Sequence, residues 1–312
     1  MPTAKVILNP YAGRGKGAKI APKVRQLLQE AGMEVDWSET SGPGHAIQLA
    51  REAKAASHDL ILAAGGDGTV SEVVNGMAQA TPDGETVGVL GVLPIGSGND
   101  FADMAGCPRD LEAAVAAFRA RTTRRVDLCR STIETREGVL RRYFDNNLGM
   151  GFEAQVTVES YKITWLRGVA IYVLAVLRAL RRYDQPFFHI RWVDEEGREQ
   201  HVAQRSLMVS LGNSRRTGGG FYVTPDAVMD DGLLDMGIAA ALSTPRILFL
   251  LPQVMMGLHR NSSAIRLVRC REVQVIASQP APVHADGEVV TEAASRLEVL
   301  VEPRRLEVIV QA

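Results

Sequence analysis

The first 120 residues alternate short apolar runs with stretches of helical periodicity, and this alternation narrows the possible folds more than any other feature of the chain. The apolar runs predict strands at residues 5–8, 33–37, 60–63 and 87–93. Apolar residues at helical spacing predict helices at residues 18–31, 45–56, 70–80 and 111–120. Strands and helices that alternate in this way predict a parallel sheet with right-handed crossovers.

Glycine-rich loops follow three of the predicted strands, at residues 10–17, 64–69 and 94–100. The carboxyl ends of parallel strands meet at one edge of a sheet, which is where the ligands of such folds bind. Backbone N–H groups in glycine-rich loops can approach an anion closely. The three loops therefore predict a phosphate-binding pocket, although none of them is a Walker A sequence or a complete dinucleotide-binding fingerprint.

The loop Gly65-Gly66-Asp67-Gly68-Thr69 carries an aspartate where its charge would repel a phosphate. A divalent cation between the two removes the conflict, because Mg²⁺ is commonly held by one or two carboxylates together with substrate phosphate oxygens. Asp67 thus indicates a metal–nucleotide site, and the alternative is a turn aspartate that caps nearby amides. We expect Thr69 to cap the helix that follows.

Composition bears on partners and on cellular compartment. The formal net charge of -1 gives no overall attraction to nucleic acid, so we expect no nucleic-acid partner. Cys107, Cys129 and Cys270 are widely spaced and form no C-x-x-C motif, which predicts reduced, buried thiols in a cytosolic protein. The amino-terminal sequence MPTAKVILNP has no apolar signal core, so we expect a cytoplasmic location.

From about residue 126 the sequence changes to short β-branched runs separated by turns, such as FFHIRWV, SLMVSLGN and EVQVIA. These runs predict an antiparallel β-sandwich or barrel, interrupted by helices at residues 165–180 and 245–259. The predicted fold class is therefore α/β plus β. An N-terminal α/β domain would cover residues 1–125 and a β-rich domain residues 126–312, with the last strand a candidate to pack back on the first domain.

One apolar segment raises the question of a membrane. The unbroken run at residues 168–177 falls short of the ~20 residues that a membrane span requires. A buried helix is the favoured interpretation. The alternative is a helix that presents apolar surface to the inner face of a membrane, with Arg178, Arg181 and Arg182 near the lipid headgroups, which would make the protein peripheral.

Several motifs resemble those of the diacylglycerol kinase and sphingosine kinase superfamily. GGDGTVSEVVNG and LPIGSGNDFA are similar to its catalytic domain, and NPYAGRGKG and TSGPGHAIQLA to its other nucleotide loops. GNSRRTGGGFYVTPDAVMDDGLLDM and VHADGEVV resemble the carboxy-terminal signature of bacterial soluble lipid kinases. The resemblance covers nearly the whole chain. It implies an α/β nucleotide domain like that of NAD kinase and phosphofructokinase, a β-rich second domain, ATP as phosphoryl donor, Mg²⁺ as cofactor and a lipid hydroxyl as acceptor.

The resemblance also assigns residues to sites, position by position. The residues assigned to ATP are Asn9, Pro10, Tyr11, Ala12, Gly13, Thr40, Gly65, Gly66, Asp67, Gly68, Thr69, Val70, Ser71 and Ser97. The segment VMDDGLL is assigned to a metal site, with the Asp231 side chain and the backbone carbonyls of Val228 and Leu233 as ligands. A tight turn at Asp231-Gly232 could aim these oxygens at one ion, and the alternative is a β-turn whose aspartates bond their own backbone.

Two positions depart from the family pattern. Ser97 stands where threonine is commoner, which keeps the hydroxyl group. Arg215 and Arg216 lie where aromatic or less charged residues are expected, and this departure bears on the identity of the lipid.

The resemblance places the acid–base residue of the reaction in the tripeptide Asp286-Gly287-Glu288. Phosphoryl transfer to a hydroxyl benefits from a carboxylate that accepts its proton. We expect Glu288 to be this acceptor and Asp286 to orient the hydroxyl or to join the metal-bound water network, with Asp67 next in line as the base. The alternative for the tripeptide is a simple hairpin turn. The arginine pair at residues 141–142 is expected to be solvated surface.

The sequence as a whole predicts an ATP- and Mg²⁺-dependent lipid kinase, with diacylglycerol as the leading acceptor and phosphatidic acid as the product. Three alternatives stay open. The chain could phosphorylate another lipid (a sphingoid base, ceramide or phosphatidylglycerol), it could phosphorylate a soluble diol or NAD, or it could be a nucleotide-binding regulator without turnover. The intact Asp286-Gly287-Glu288 argues against the regulator, since a non-catalytic relative could lose it freely.

Overall fold

The computed structural model describes residues 4–166, 169–218 and 220–311 of the 312-residue chain. Contacts between Cα atoms divide the chain into two units. The first unit comprises Met1–Leu128, Met229–Gly232 and Glu302–Ala312, and the second comprises Cys129–Val228 and Leu233–Val301.

The first unit alternates strands and helices, as the sequence predicts. Its elements in chain order are β1 (Ala4–Leu8), α1 (Ala12–Glu30), β2 (Val35–Glu39), α2 (His45–Ala55), β3 (Leu60–Gly65), α3 (Asp67–Gln79), β4 (Gly88–Pro94), α4 (Asp100–Ala105) and α5 (Leu111–Ala120). The strands pair in parallel in the order β2-β1-β3-β4. Residues 306–308, close to the carboxyl terminus, pair in parallel with the free side of β4.

Helices cover both faces of this parallel sheet. Val6 and Leu8 of β1 belong to a buried cluster that includes Val24 of α1 and Phe118 of α5. Helices α2 and α3 contact β1 and β3 but contribute no residue to that cluster, so they cover the opposite face. Side chains alternate across a strand, so the helices on the two faces together bury every residue of β1, which is apolar apart from Lys5.

Element boundaries differ from the prediction where glycine and short helices are involved. Helix α1 begins at Ala12 instead of residue 18, but Gly13, Arg14 and Gly15 have φ of 58°, 63° and 83°, so its regular part starts after them. Strand β2 begins and ends two residues later than predicted. The six-residue helix α4 was not predicted because it is too short to show a period.

The second unit is built mainly of antiparallel strands. The elements from the domain junction onward are β5 (Thr123–Thr135), β6 (Gly138–Phe144), β7 (Asn147–Gly151), α6 (Phe152–Tyr161), α7 (Val169–Ala179), β8 (Phe187–Asp194), β9 (Glu199–Gly212), β10 (Leu234–Ala240), α8 (Thr244–Met255), β11 (Ile265–Ala285) and β12 (Glu288–Ile309). Strands pair in the order β10-β9-β7-β11-β12, β8 pairs with β9 and β11, and β5 pairs with β6 and β12. Phe144, Phe188 and Trp192 are among the buried residues that form the hydrophobic core of these strands. The predicted β-sandwich-like second domain is confirmed.

The helices of the second unit were predicted less well than its strands. Helix α6 was missed because its sequence, FEAQVTVESY, has apolar residues at alternating positions and three consecutive β-branched residues, so it resembles a strand. The predicted helix at residues 165–180 corresponds to α7, and residues 167 and 168 lie outside the described part of the chain. Ala175 and Val176 of α7 are buried, whereas Val173 and Leu177 are exposed. Within the described residues, no helix combines the length and the hydropathy needed to cross a bilayer.

Candidate active site

The glycine-rich loops of the first unit lie against one another at the carboxyl ends of β1, β3 and β4. Asn9 donates from Nδ2 to the hydroxyl of Thr69 over 3.1 Å, which joins the first loop to the second. The second and third loops meet so closely that a Cβ added to Gly96 would lie 2.4 Å from the Cα of Gly66. No residue with a side chain permits that approach. The sheet edge predicted from the sequence therefore gathers all three loops.

Helix α3 starts inside the second loop, with Gly66 as its N-cap and Asp67 as its first residue. The first N–H groups of a helix have no acceptor within the helix, so this end of α3 favours an anion. Among the residues assigned to ATP, Tyr11 and Ser97 are exposed. Thr40, Thr69, Val70 and Ser71 are buried, backbone as well as side chain.

The expected capping role of Thr69 is wrong. Because α3 already begins at Asp67, Thr69 lies within its first turn, and its hydroxyl accepts the hydrogen bond from Asn9.

The Asp67 carboxylate contacts the third loop. Its Oδ1 accepts the backbone N–H of Phe101 over 3.1 Å at the start of α4. Asp67 therefore ties the second loop to the third, which is the amide-capping contact that the sequence left as the alternative.

A buried aspartate outside the predicted set fixes the segment that contains Asp231. Asp127 is fully buried, and its carboxylate accepts the backbone N–H groups of Gly232 over 2.6 Å and Arg304 over 2.7 Å. Burial raises the pKa of Asp127, the two N–H donors lower it, and the nearby carboxylates of Asp231 and Asp230 raise it again. The segment is thus held in place next to a concentration of negative charge.

The predicted metal ligands lie on this segment. Gly232 has a φ of 76°, which gives the tight turn expected after Asp231. Within the described residues, no group of three or more His, Cys, Asp or Glu side chains is arranged to hold a metal ion. A cation at this turn would therefore need backbone oxygens, and Val228 and Leu233 are the residues expected to supply them.

The tripeptide at residues 286–288 closes the long hairpin of β11 and β12. Asp286 and Gly287 have φ of 49° and 81°, and Ala285 pairs with Glu288 across them. Positive φ at both central residues is the signature of a type I′ turn, so the hairpin considered from the sequence is present. The Asp286 carboxylate accepts the backbone N–H groups of residues 145–147 over 3.0–3.3 Å. Asp286 thereby fastens the turn to the start of β7.

Glu288, the predicted proton acceptor, is paired with an arginine of β6. Arg142 Nη2 lies 2.5 Å from Glu288 Oε2, and the two side chains are 15% and 32% exposed. The expectation that Arg142 is solvated surface is therefore wrong, whereas Arg141 is exposed. A charge-assisted contact of this length fixes the position of the carboxylate while leaving part of it open to a ligand.

An apolar cavity of 330 Å³ lies within the second unit and reaches the same turn. Most of its wall is hydrophobic and includes Val156, Val176, Leu207, Phe221, Leu250 and Val254. Its polar lining includes Glu153, Thr157, Tyr161 and His284, and Gly287 also belongs to the wall. The Tyr161 hydroxyl donates to the carbonyl of Gly287 over 3.0 Å. A long apolar group could fill the cavity while its polar end lies by the turn that leads into Glu288.

Helix α8 and the residues after it carry large apolar side chains on the protein surface. Ile247 and Leu250 are buried, whereas Leu248 and Phe249 are 41% and 72% exposed. Met256 and Leu258 are also exposed, at 68% and 61%. Since Ile247, Leu250 and Val254 line the cavity, the exposed apolar surface belongs to the helix that forms part of its wall.

Several residues of the site were missed by reasoning from the sequence. Asp127 stands between the apolar Val126 and Leu128, and a lone charge in such a run signals a buried partner. Glu72 caps α2 by accepting the backbone N–H groups of Gly44 and Ala46, and no local pattern reveals this contact. Arg142 is separated from Glu288 by 146 positions, so only the paired strands reveal their contact.

Comparison with known families matches both halves of the chain. Residues 3–131 match the profile described as diacylglycerol kinase catalytic domain. Residues 146–310 match the profile described as YegS C-terminal NAD kinase beta sandwich-like domain. A protein named diacylglycerol kinase from Bacillus subtilis is 31% identical over 295 residues, which are 92% of this chain and 90% of that protein. A probable lipid kinase YegS-like from Xanthomonas oryzae pv. oryzae is 32% identical over 282 residues, or 89% of this chain and 87% of that protein.

Solved structures show the same fold. A putative diacylglycerol kinase from Bacillus anthracis superposes with a TM-score of 0.75 at 21% identity, covering 99% of this chain and 95% of that one. Yeast NADH kinase complexed with NADH gives a TM-score of 0.55 at 12% identity, covering 99% of this chain and 84% of that one. At these identities the likeness speaks for the fold alone.

Proposed function

The chain belongs to the family that joins a diacylglycerol kinase catalytic domain to a YegS C-terminal domain, and we propose that it is a lipid kinase that transfers the γ-phosphoryl group of ATP to a lipid hydroxyl. The observation that carries this proposal is the apolar cavity whose wall includes Gly287, next in sequence to Glu288. Each methylene of a lipid buried in such a wall contributes about 0.8 kcal/mol. A soluble diol or NAD would gain little from it.

Diacylglycerol is the acceptor that the names of two relatives suggest, those from Bacillus subtilis and Mycobacterium tuberculosis. Its product would be phosphatidic acid. Sphingoid bases, ceramide, phosphatidylglycerol and NAD are the competing acceptors, and the cavity itself favours those with acyl or alkyl chains.

The loops of the first unit would hold ATP. Three features support this. The loops gather at one sheet edge, and Gly66 and Gly96 let their backbones approach each other. The N-terminus of α3 lies within the second loop. Phosphoryl transfer depends on positioning and on charge neutralisation more than on covalent chemistry. Backbone N–H groups at this edge would orient the phosphates.

Mg²⁺ is the proposed cofactor, and the residues present fit it. Asp67 would hold the ion that accompanies the nucleotide, because a carboxylate among phosphate-binding glycines is otherwise repulsive. Asp231, with the carbonyls of Val228 and Leu233, would hold a cation beside the buried Asp127, where the negative charge is concentrated. When bound, the ion would neutralise charge on the phosphate oxygens.

Glu288 is the proposed proton acceptor for the lipid hydroxyl. Its carboxylate is partly exposed and held by Arg142, whereas the carboxylate of Asp286 is engaged by three backbone N–H groups. Asp286 would thus position the turn, and Glu288 would take the proton as the phosphoryl group is transferred.

A direct test is phosphorylation of a total lipid extract by the purified protein with radiolabelled ATP and Mg²⁺, with NAD as a parallel acceptor. Leu251→Trp fills the cavity from α8, and Leu248→Trp adds the same bulk to the exposed side of that helix. We expect Leu251→Trp to lower the rate of lipid phosphorylation strongly. Leu248→Trp should leave the rate of phosphorylation of a soluble short-chain acceptor unchanged. Both variants should retain ATP binding. Phosphorylation of NAD but of no lipid would overturn the proposal.

A further inference from the structure

Glu153 and His284 form a polar pair in the wall of the apolar cavity. Glu153 lies at the start of α6 and His284 near the end of β11. Their closest atoms, Glu153 Oε1 and His284 Nε2, are 3.4 Å apart, and the two side chains are 15% and 3% exposed. The pair is therefore almost entirely withdrawn from solvent and belongs to the cavity that also reaches Gly287.

The pair has hydrogen-bonding capacity that the protein does not use. Both ring nitrogens of His284 and the Oε2 atom of Glu153 are buried and have no hydrogen-bond partner among the described residues. Buried polar atoms are nearly always satisfied, because leaving one without a partner is costly. Because the pair lies in the wall of a cavity, its unused donor and acceptor positions are available to a group that enters the cavity.

The backbone beside the pair leaves room for it. A Cβ added to Gly149 would lie 2.6 Å from His284 Nε2 and 2.7 Å from Glu153 Oε2. Any side chain at position 149 would displace both groups. Because Gly149 has no side chain, the Glu153 carboxylate and the His284 imidazole can lie close together against β7.

The chemistry of the pair selects among lipids. An ionised carboxylate only accepts hydrogen bonds, so Glu153 requires a donor, and a neutral imidazole offers one donor and one acceptor. Diacylglycerol has a single donor, the hydroxyl that is phosphorylated, and its ester groups only accept. A lipid with a second donor next to the reacting hydroxyl, either a free hydroxyl or an amide or amine N–H, satisfies Glu153 as well.

We propose that Glu153 and His284 determine acceptor specificity by binding a second hydrogen-bond-donating group of the lipid, adjacent to the hydroxyl that is phosphorylated. This inference rests on the proposed lipid kinase function and narrows its substrate class. It favours acceptors with a vicinal donor over diacylglycerol, and the apolar part of the cavity takes the acyl or alkyl chain of either kind.

The test compares three acceptors in mixed detergent micelles: dioctanoylglycerol without a second donor, monodecanoylglycerol with a second hydroxyl, and a short-chain ceramide with an amide N–H. In the wild type, kcat/KM should be higher for at least one of the donor-bearing lipids. Glu153→Gln keeps the shape of the side chain but removes the charge. It should reduce the preference for that lipid over dioctanoylglycerol roughly tenfold or more, the size expected for one hydrogen bond to a charged group.

Glu196→Gln is the matched control. It makes the same change of charge on an exposed side chain in the turn after β8, outside the cavity, so the ratio between acceptors should stay at the wild-type value. Gly149→Ala is a second test that does not alter the pair chemically, and it should change the ratio in the same direction as Glu153→Gln. Equal loss on all three acceptors in both variants would overturn the specificity role.

Equilibrium binding of the same lipids without ATP separates the two proposals. If the wild type binds a donor-bearing lipid preferentially and loses this preference in Glu153→Gln, but phosphorylates no lipid, the kinase function fails and the binding site stands. If lipids are phosphorylated but neither binding nor turnover depends on the second donor, the pair has no role in specificity and the kinase function stands.

Discussion

Arg142 Nη2 and Glu288 Oε2 lie 2.5 Å apart, which places an arginine of β6 directly against the carboxylate expected to accept the substrate proton. The contact orients Glu288, while Asp286 holds the preceding turn by accepting three backbone N–H groups. The two acidic residues of this tripeptide are therefore held differently, Glu288 by an arginine side chain and Asp286 by backbone N–H groups.

Glu288→Gln should lower kcat by roughly 10²–10⁴-fold, the usual contribution of a general base, with little change in the KM for ATP. Its melting temperature should fall by no more than about 2–4 °C, because a partly exposed ion pair contributes at most ~1 kcal/mol. Asp286→Asn should lower the melting temperature further, since a donor amide replaces one oxygen that faces backbone N–H groups. Full activity in Glu288→Gln together with an inactive, well-folded Asp286→Asn would exchange the two roles.

Arg142→Met should lower kcat by roughly 10–100-fold, because a displacement of the base by about 1 Å can cost that much. The KM for ATP should change little, and Arg142→Lys should restore part of the lost rate by returning one positive charge. Arg141→Met, at the exposed neighbouring position, is the control and should behave as wild type. Equal activity in Arg142→Met and Arg141→Met would show that the contact with Glu288 has no catalytic consequence.

The part of the site that was predictable from the sequence follows from general rules of parallel sheets. Strand–helix alternation places the glycine-rich loops at one edge, and the contacts Asn9–Thr69 and Gly66–Gly96 are found there. The role of Thr69 was misjudged because the helix starts three residues earlier than its apolar period suggests. Capping assignments depend on such small shifts of a helix start.

The rest of the site depends on contacts between residues that are distant in sequence. Arg142 meets Glu288 because β5 pairs with both β6 and β12, and a solvated arginine pair looks the same in the sequence. Glu153 was hidden because α6 resembles a strand, and its partner His284 lies on β11, far away in the sequence. Strand pairing and helix packing bring these residues together, and neither is specified by a local pattern.

Asp67→Asn should fold normally, because an asparagine side chain can still accept the N–H of Phe101 through its oxygen. Turnover should fall most at limiting Mg²⁺ and recover in part at high Mg²⁺, since the lost charge weakens metal–nucleotide binding. A Mg²⁺ titration of initial rates measures this effect. Asp110→Asn, which replaces one good helix cap by another at the start of α5, is the control. Near wild-type activity of Asp67→Asn at limiting Mg²⁺ would exclude the metal role.

Peripheral membrane contact is expected to involve Arg181 and Arg182, which follow α7 and are exposed. Activity should rise when the lipid substrate is offered in vesicles that contain anionic lipid. Arg181→Glu/Arg182→Glu should reduce this rise, because each basic residue near an anionic surface contributes about 1 kcal/mol of attraction. ATP binding should be unaffected.

The matched control for that surface is Arg191→Glu/Arg198→Glu, which makes the same charge change on exposed side chains at β8 and the turn that follows it. We expect this variant to keep most of the activation by anionic vesicles. If both double variants lose it equally, overall charge explains the effect and the membrane surface at α7 is excluded. If neither loses it, the arginines do not contact lipid.

The carboxylates around Asp127 repel one another when no cation is present. Burial raises the pKa of Asp127 most and the charges of Asp231 and Asp230 raise it further, which means that its ionised form is disfavoured in the folded protein. Asp230 has a compensating partner, since its carboxylate lies 3.0 Å from Arg124 Nη2. The effect of neutralising an aspartate here should therefore depend on which aspartate is changed and on whether Mg²⁺ is bound.

Asp231→Asn should unfold at the same temperature as wild type or slightly higher in chelator, because repulsion on Asp127 is relieved. With Mg²⁺ the order of the two unfolding temperatures should reverse. An ion that binds only the folded state stabilises it by RT ln(1 + [L]/Kd), and the variant lacks the carboxylate proposed to coordinate that ion. Thermal unfolding monitored with and without Mg²⁺ measures both halves. Asp230→Asn, which loses the contact with Arg124, should be less stable in chelator but should keep the Mg²⁺ response. An equal Mg²⁺ response in wild type and Asp231→Asn would show that the turn does not hold the ion.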